Sequence, residues 1–249
     1  MSAAQEAELN TDGRTSVLAT SVLVVFLLAM TVTIANVSLP QMQGSLSATR
    51  DQVAWVVTSF LVANAVGVPA TGWLTDRLGS RRLIIWGTFG FSLATLSCAL
   101  APNLELLVLS RALQGLLGAP LTPLTMALVL SMYPRHQHGL VTAIFGIGVT
   151  IGPIVAPWLG GILAEDYGWR SVFFFAMPFA TLACFAVLIF IPRDRPQRER
   201  RLDLRGFIFF SLAIACFQLM FDRGERNDWF ESAEITIECL TGVLCLYLF

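Results

Sequence analysis

Six separate stretches of this chain, 17–37, 53–74, 83–101, 104–132, 140–163 and 172–191, are predominantly apolar and each close to 20 residues or longer. That is the length of a helix that crosses a hydrocarbon layer roughly 30 Å thick. Inside such a layer no water satisfies backbone polar groups, so the runs must be helical. Composition agrees, because 55% of the 249 residues are hydrophobic and 13% are charged, against about 25% charged in soluble domains. The chain is predicted to be an all-α membrane protein. Two shorter runs follow, 207–221 and 235–249. The second would cover about 22 Å, less than the layer's thickness. The natural protein is therefore expected to continue, with this chain as its amino-terminal portion.

Charge placement orients the helices. All sixteen basic residues are arginines. A cytoplasmic amino terminus puts Arg14, Arg77, Arg81, Arg82, Arg135 and the six arginines from Arg193 to Arg205 on the inner side, leaving Arg50, Arg170, Arg223 and Arg226 outside. The excess predicts an amino terminus in the cytoplasm by the positive-inside rule. Residues 1–16 are polar and carry Glu6, Glu8 and Asp12, so they read as a cytoplasmic tail rather than a cleaved signal peptide. A net charge of −1 with no basic tail excludes a nucleic-acid partner. Cys98, Cys184, Cys216, Cys239 and Cys245 lie in apolar runs at no metal-ligand spacing and read as reduced packing residues. His136 and His138 share one loop without an HExxH pair, which leaves a membrane enzyme without metal ligands or base. No cofactor is expected.

Polar residues within the apolar runs are the candidate site. Thr31, Thr33 and Asn36 close the first run, and Pro40 is expected to end its helix at the outer surface. Thr33 and Asn36 share a helical face, predicted to look into a polar cavity, and Asn64 lies deep in the second run. Arg111, with Gln114 one turn on, falls roughly 10 Å inside the membrane, where a charge costs up to about 3 kcal/mol and is expected to face a wet interior. The alternative is an arginine that snorkels outward or is tied to Glu105. After the second run, Gly72, Asp76, Arg77, Gly79, Arg81 and Arg82 form a turn in which Gly79 permits left-handed geometry and Asp76 can meet an arginine or a helix amino terminus.

In the fifth run Gly148, Gly152, Ala156 and Gly160 recur at every fourth residue, so as a helix they stack along one face. Pro153, Pro157 and Gly161 repeat on the adjoining face, where proline removes a donor and bends the helix. A small-residue stripe lets a second membrane helix approach closely. It is either simple tight packing or a bent seam that keeps one side of a transport path from leaking.

With these residues in hand the chain resembles the major facilitator superfamily. The turn from Gly72 to Arg82 is similar to that superfamily's signature, the run around Arg111 to its arginine motif, and the stretch from Gly148 to Gly161 to the motif of its antiporter branch. The ending from Asn36 to Pro40, the stretch Phe221-Asp222-Arg223-Gly224 with Asp228-Trp229-Phe230, and the two extra spans resemble the 14-span drug:proton antiporters of the EmrB/QacA type. The resemblance implies a tail (1–16), a six-span domain of two inverted three-span repeats (17–191), a cytoplasmic connector (192–205) and two linking spans (206–249), followed by a second domain. It further implies an exporter of lipophilic or cationic compounds in a bacterial inner membrane, working by alternating access and driven by a proton gradient. Partners would be the bilayer, the carboxy-terminal domain and, by analogy, a periplasmic adaptor with an outer-membrane channel. Asp76 and its neighbours would latch the domains, Arg111 would couple protons or substrate, and the fifth span would be a leak-tight hinge. One departure stands out: Thr31 occupies the position where such antiporters carry an aspartate, so an uncoupled or differently coupled exporter is the alternative, with a non-transporting truncated subunit behind it.

Overall fold

A computed structural model describes residues 3–192 and 204–249. Among the described residues ten α-helices follow one another: α1 (Ala3–Ser45), α2 (Arg50–Gly67), α3 (Ala70–Leu78), α4 (Ser80–Leu100), α5 (Leu104–Gly118), α6 (Leu121–Met132), α7 (His138–Tyr167), α8 (Arg170–Phe190), α9 (Leu204–Arg223) and α10 (Ala233–Leu248). No strand occurs among the described residues, and the all-α class read from the apolar runs is the one observed. The predicted connector, apart from residues 192, 204 and 205, lies outside the described residues.

Local chemistry sets the ends of these helices. Thr49 and Gln52 form a reciprocal capping box at the start of α2, each bonding the other's backbone N–H. Asn103 caps α5 by accepting from Leu106 N at 2.9 Å. Gly79 and Gly168 turn the chain at φ 84 and 80 between α3 and α4 and between α7 and α8, a region that a Cβ disfavours. Proline acts differently at different places. The second span, read as one run, is broken between α2 and α3 at Val68-Pro69 with a 60° bend, because Pro69 has no N–H to continue the ladder. Pro120 similarly separates α5 from α6. Pro40, in contrast, does not end α1, which runs on to Ser45. The expectation of a stop there was mistaken: proline removes one bond and bends a helix, but packing of the flanking turns can carry the helix through. α7 likewise continues through Pro153 and Pro157.

Six helical stretches are long and apolar enough to cross a membrane, seven with the bent α2–α3 pair, among the described residues. The protein is an integral membrane protein. Its bundle is dominated by three helix pairs, α1 with α7, α2 with α5, and α4 with α8. Arginines clamp the last pair at both ends. Arg81 at the start of α4 donates to Leu188 O near the end of α8 at 3.1 Å, and Arg170 at the start of α8 donates to Ala101 O just after α4 at 2.8 Å. Each places a cation at a helix carboxyl end, where the aligned peptide dipoles favour it. A continuous apolar core containing Leu27, Ile34, Phe91, Leu107 and Phe173 fills the space between the pairs.

Candidate functional site

The largest side chain wholly enclosed in the core is a charged one, Arg111 of α5. Its Nε donates to Val56 O of α2 at 3.0 Å, and Nη1 donates to Gln114 Oε1 at 2.6 Å. Gln114, also fully buried, passes the chain on by donating through Nε2 to Thr95 Oγ1 of α4 at 2.6 Å. The Thr95 hydroxyl then donates to Phe91 O at 2.8 Å. The guanidinium carbon lies 4.7 Å from the centre of the Phe60 ring and 5.8 Å from that of Phe173, so α2 and α8 each offer a negative π face. No carboxylate pairs with it among the described residues. Nη2 has no hydrogen-bond partner. Dipoles and rings from α2, α5 and α8, with Thr95 of α4 behind Gln114, thus offset the desolvation of the charge, and the amino group Nη2 is left over.

This corrects the expected wet surroundings. Among the described residues Arg111 is wholly buried and meets neither solvent nor Glu105, which is exposed. The close approach of α2 explains why. A Cβ placed on Gly115, one turn after Arg111, would overlap Phe60 O and lie 3.1 Å from Asn64 N, so the two backbones touch. Asn64, half-buried, donates through Nδ2 to Gly115 O at 3.1 Å, and Gly67 meets Ala119 one turn further along. The breaks before Pro69 and Pro120 therefore lie side by side. The sequence reading passed over Thr95, Phe60 and the Val56 carbonyl; only the first leaves a trace, as a hydroxyl inside an apolar run that had to find a partner.

The other polar candidates divide. Thr31 is fully buried and returns its hydroxyl to Leu27 O of its own helix at 2.6 Å. Thr33 is half-buried and bonds Ala29 O at 3.2 Å, while Asn36 is exposed. Thr33 and Asn36 thus lie on an open side of α1, and Thr31 does not. In the turn, Gly72 has nothing within 4 Å of a built Cβ, Arg77 stacks over Trp73 at 5.4 Å and Arg82 is exposed. Asp76 makes no hydrogen bond or ion pair among the described residues.

On α7 the four small residues Gly148, Gly152, Ala156 and Gly160 are all buried, and their stripe faces α1. A Cβ on Gly152 would lie 2.7 Å from Met30 N and 3.1 Å from Phe26 O, backbone atoms that cannot step aside. Gly148 meets Val22 and Gly160 meets Ile34. Pro153 and Pro157 are exposed, and Gly161 has open space beside it. No group of His, Cys, Asp and Glu that could hold a metal ion occurs among the described residues.

Comparison with known proteins adds to this geometry. The sequence model of the Major Facilitator Superfamily matches residues 21–249. The chain is 35% identical over 225 residues to the multidrug export protein EmrB of Escherichia coli K12, covering 90% of this chain and 44% of that protein. It is 36% identical over 228 residues to the fatty acid resistance protein FarB of Neisseria gonorrhoeae, covering 91% and 45%. It thus spans less than half the length of these relatives. Among solved structures it shares its fold with the POT family transporter PepTSo at a TM-score of 0.65 and 13% identity, covering 94% of this chain and 54% of that one.

Proposed function

The chain belongs to the Major Facilitator Superfamily, and from that premise we propose that it is part of a secondary exporter of small amphipathic compounds, lipophilic or cationic, that works by alternating access. Its likeness to proteins named for multidrug export and fatty acid resistance, over nine-tenths of its own length, supports this reading more than any other observation. Helix pairing supports the architecture. An inverted repeat relating the first three spans to the next three would exchange the α1–α7 and α2–α5 pairs and turn the α4–α8 pair onto itself, and the reciprocal clamps of Arg81 and Arg170 have that symmetry. The arginine-rich end is the cytoplasmic one, the membrane is a bacterial inner membrane, and the remaining length of such a protein supplies a second domain against which this one rocks. The turn from Gly72 to Arg82 latches the two, with Asp76 free to pair across. A periplasmic adaptor and outer-membrane channel complete the proposed assembly.

Arg111 is the proposed coupling residue, and the unpartnered Nη2 supports this, because a buried cation with a spare donor gains most from an anion brought to it. Proton influx is the proposed drive. The second reading, export without proton coupling, is favoured by Thr31, whose hydroxyl is occupied by its own helix where a carboxylate would be expected to carry a proton. Reconstituted vesicles separate the two. Proton release on adding ethidium under an imposed pH gradient, abolished by Arg111→Ala, supports antiport through Arg111. Ethidium movement without proton flux sinks the coupling and leaves a facilitator or another ion.

A further inference from the structure

The export reading leaves unused the motif between α9 and α10. Its backbone makes a tight corner: Asn227 N donates to Arg223 O at 3.1 Å, Trp229 N donates to Gly224 O at 2.8 Å, and Asp228 and Trp229 both take left-handed backbone at φ 55 and 51. The Trp229 ring sits so close to Gly224 that a Cβ there would lie 2.7 Å from it and 2.7 Å from Met220 O. Only glycine fits that corner. Further along the hairpin, a Cβ on Gly242 of α10 would lie 3.2 Å from the Phe217 ring of α9, so the two helices are in close contact there as well.

The corner aims its polar side chains at α2. The hydroxyl of Thr58, buried in α2, donates to the Asp222 carboxylate, and Arg226 lies 3.6 Å from the same carboxylate. Arg223 reaches Glu234 Oε1 at 3.0 Å and Glu238 Oε1 at 3.4 Å, both on α10, and lays its guanidinium over the Trp55 ring of α2 at 5.5 Å. One arginine thereby ties α9, α10 and α2 together. The cavity between α2 and the hairpin, about 270 Å³, is bounded by these arginines, and both are committed to carboxylates within the joint. Cations already paired with carboxylates suit a fastening rather than an anion site.

We propose that this motif is a clasp that fixes the α9–α10 hairpin to α2, so that hairpin and six-span bundle move as one rigid body. Because the claim concerns what moves during transport, it rests on the exporter reading. The clasp confines relative motion to the chain outside the α2–α9 contact.

Thr58→Cys with Asp222→Cys tests it in the full-length protein, after the native cysteines have been replaced. Oxidation in membrane vesicles is expected to crosslink most chains, equally with and without ethidium and with and without a pH gradient, and the crosslinked protein is expected to keep its ethidium efflux. Three results overturn the clasp: no crosslink, a yield that falls several-fold when ethidium is added, or efflux lost on oxidation and restored by reductant. Ala54→Cys with Asn227→Cys, on two walls of the same cavity and bridged by a short bis-maleimide, repeats the test with Thr58, Asp222 and Arg223 intact. A protein without efflux in either redox state counts against the exporter reading, while the dependence of crosslinking on ethidium and pH still reads the clasp.

Discussion

The α1–α7 and α2–α5 seams use the same device for different ends. In each, two helices run parallel and glycine lets one backbone rest on the other: Gly152 against Phe26 and Met30 in the first, Gly115 against Phe60 in the second. The first seam is lined by Val22, Phe26, Met30 and Ile34, and the buried hydroxyls of Thr31 and Ser38 on α1 are turned back onto their own helix. The second holds a charge. Gly115 is one helical turn from Arg111, and Phe60 is one turn from Val56, so the contact that brings Gly115 to Phe60 also brings the guanidinium to Val56 O. Close approach alone makes a seal. Close approach one turn from an arginine makes a seal and also fixes a cation among carbonyls and rings.

The most damaging single change should therefore be Gly115→Ala. Its methyl meets backbone that cannot yield, and opening the seam also pulls Arg111 from Val56 O, so a loss of more than about 3 kcal/mol, the upper range for overpacking, is expected with near-complete loss of efflux. Gly152→Ala should cost about 1–3 kcal/mol, since it strains a seam that carries no charge. Equal losses at the two positions, read from thermal unfolding of the purified protein, would break the comparison.

Arg111→Ala comes next. It leaves Gln114 Oε1 without its donor, at about 1–3 kcal/mol where nothing replaces it, and takes from Val56 O only the bond it accepts besides its helical one. Arg111→Lys should recover part of the stability but little of the transport, because an ammonium cannot span both acceptors in the fixed fork of a guanidinium. Full efflux by the lysine variant would mean that charge alone, without the fork, is what the site uses. Thr95→Val should cost less, about 1–2 kcal/mol, by leaving Gln114 Nε2 unpaired, and should weaken efflux only as far as Gln114 lets Arg111 shift.

These sites were unequally legible in the sequence. Apolar length gave the spans, and the four-residue spacing from Gly148 to Gly160 gave a buried face, since both depend on neighbours along the chain. Gly79 announced its turn for the same reason. The depth of Arg111 could be counted, but its surroundings could not. Val56 and Phe173 reach it from two other helices and Thr95 holds its partner Gln114 from a third, and the approach of Val56 is set by the contact of Gly115 with a backbone more than fifty residues earlier. Proline misled in both directions: Pro40 stands inside a helix, while Pro69 breaks a run that looked continuous. One residue type gives two outcomes because the lost hydrogen bond is the same and the packing around it is not.

Gly160 and Gly161 carry the smallest predicted effects and the sharpest internal control, because they are adjacent and point different ways. A methyl on Gly160 would lie 2.7 Å from Ile34 Cγ1, the side chain of a core residue, so Gly160→Ala should cost about 1 kcal/mol as Ile34 repacks. A methyl on Gly161 meets nothing within 4 Å. Alanine is the better helix former by up to about 1 kcal/mol in water. In a bilayer the unfolded reference is itself helical, so that gain shrinks. Gly161→Ala is accordingly expected to shift unfolding by no more than about 0.5 kcal/mol, the usual range for a surface change. Efflux measured beside stability then decides what the open face does. Unchanged efflux leaves the stripe facing α1 as the part of α7 that acts. Efflux lost at unchanged stability would assign Gly161 to a close contact with another part of the transporter, and the seam between α1 and α7 would then be one of two that α7 makes.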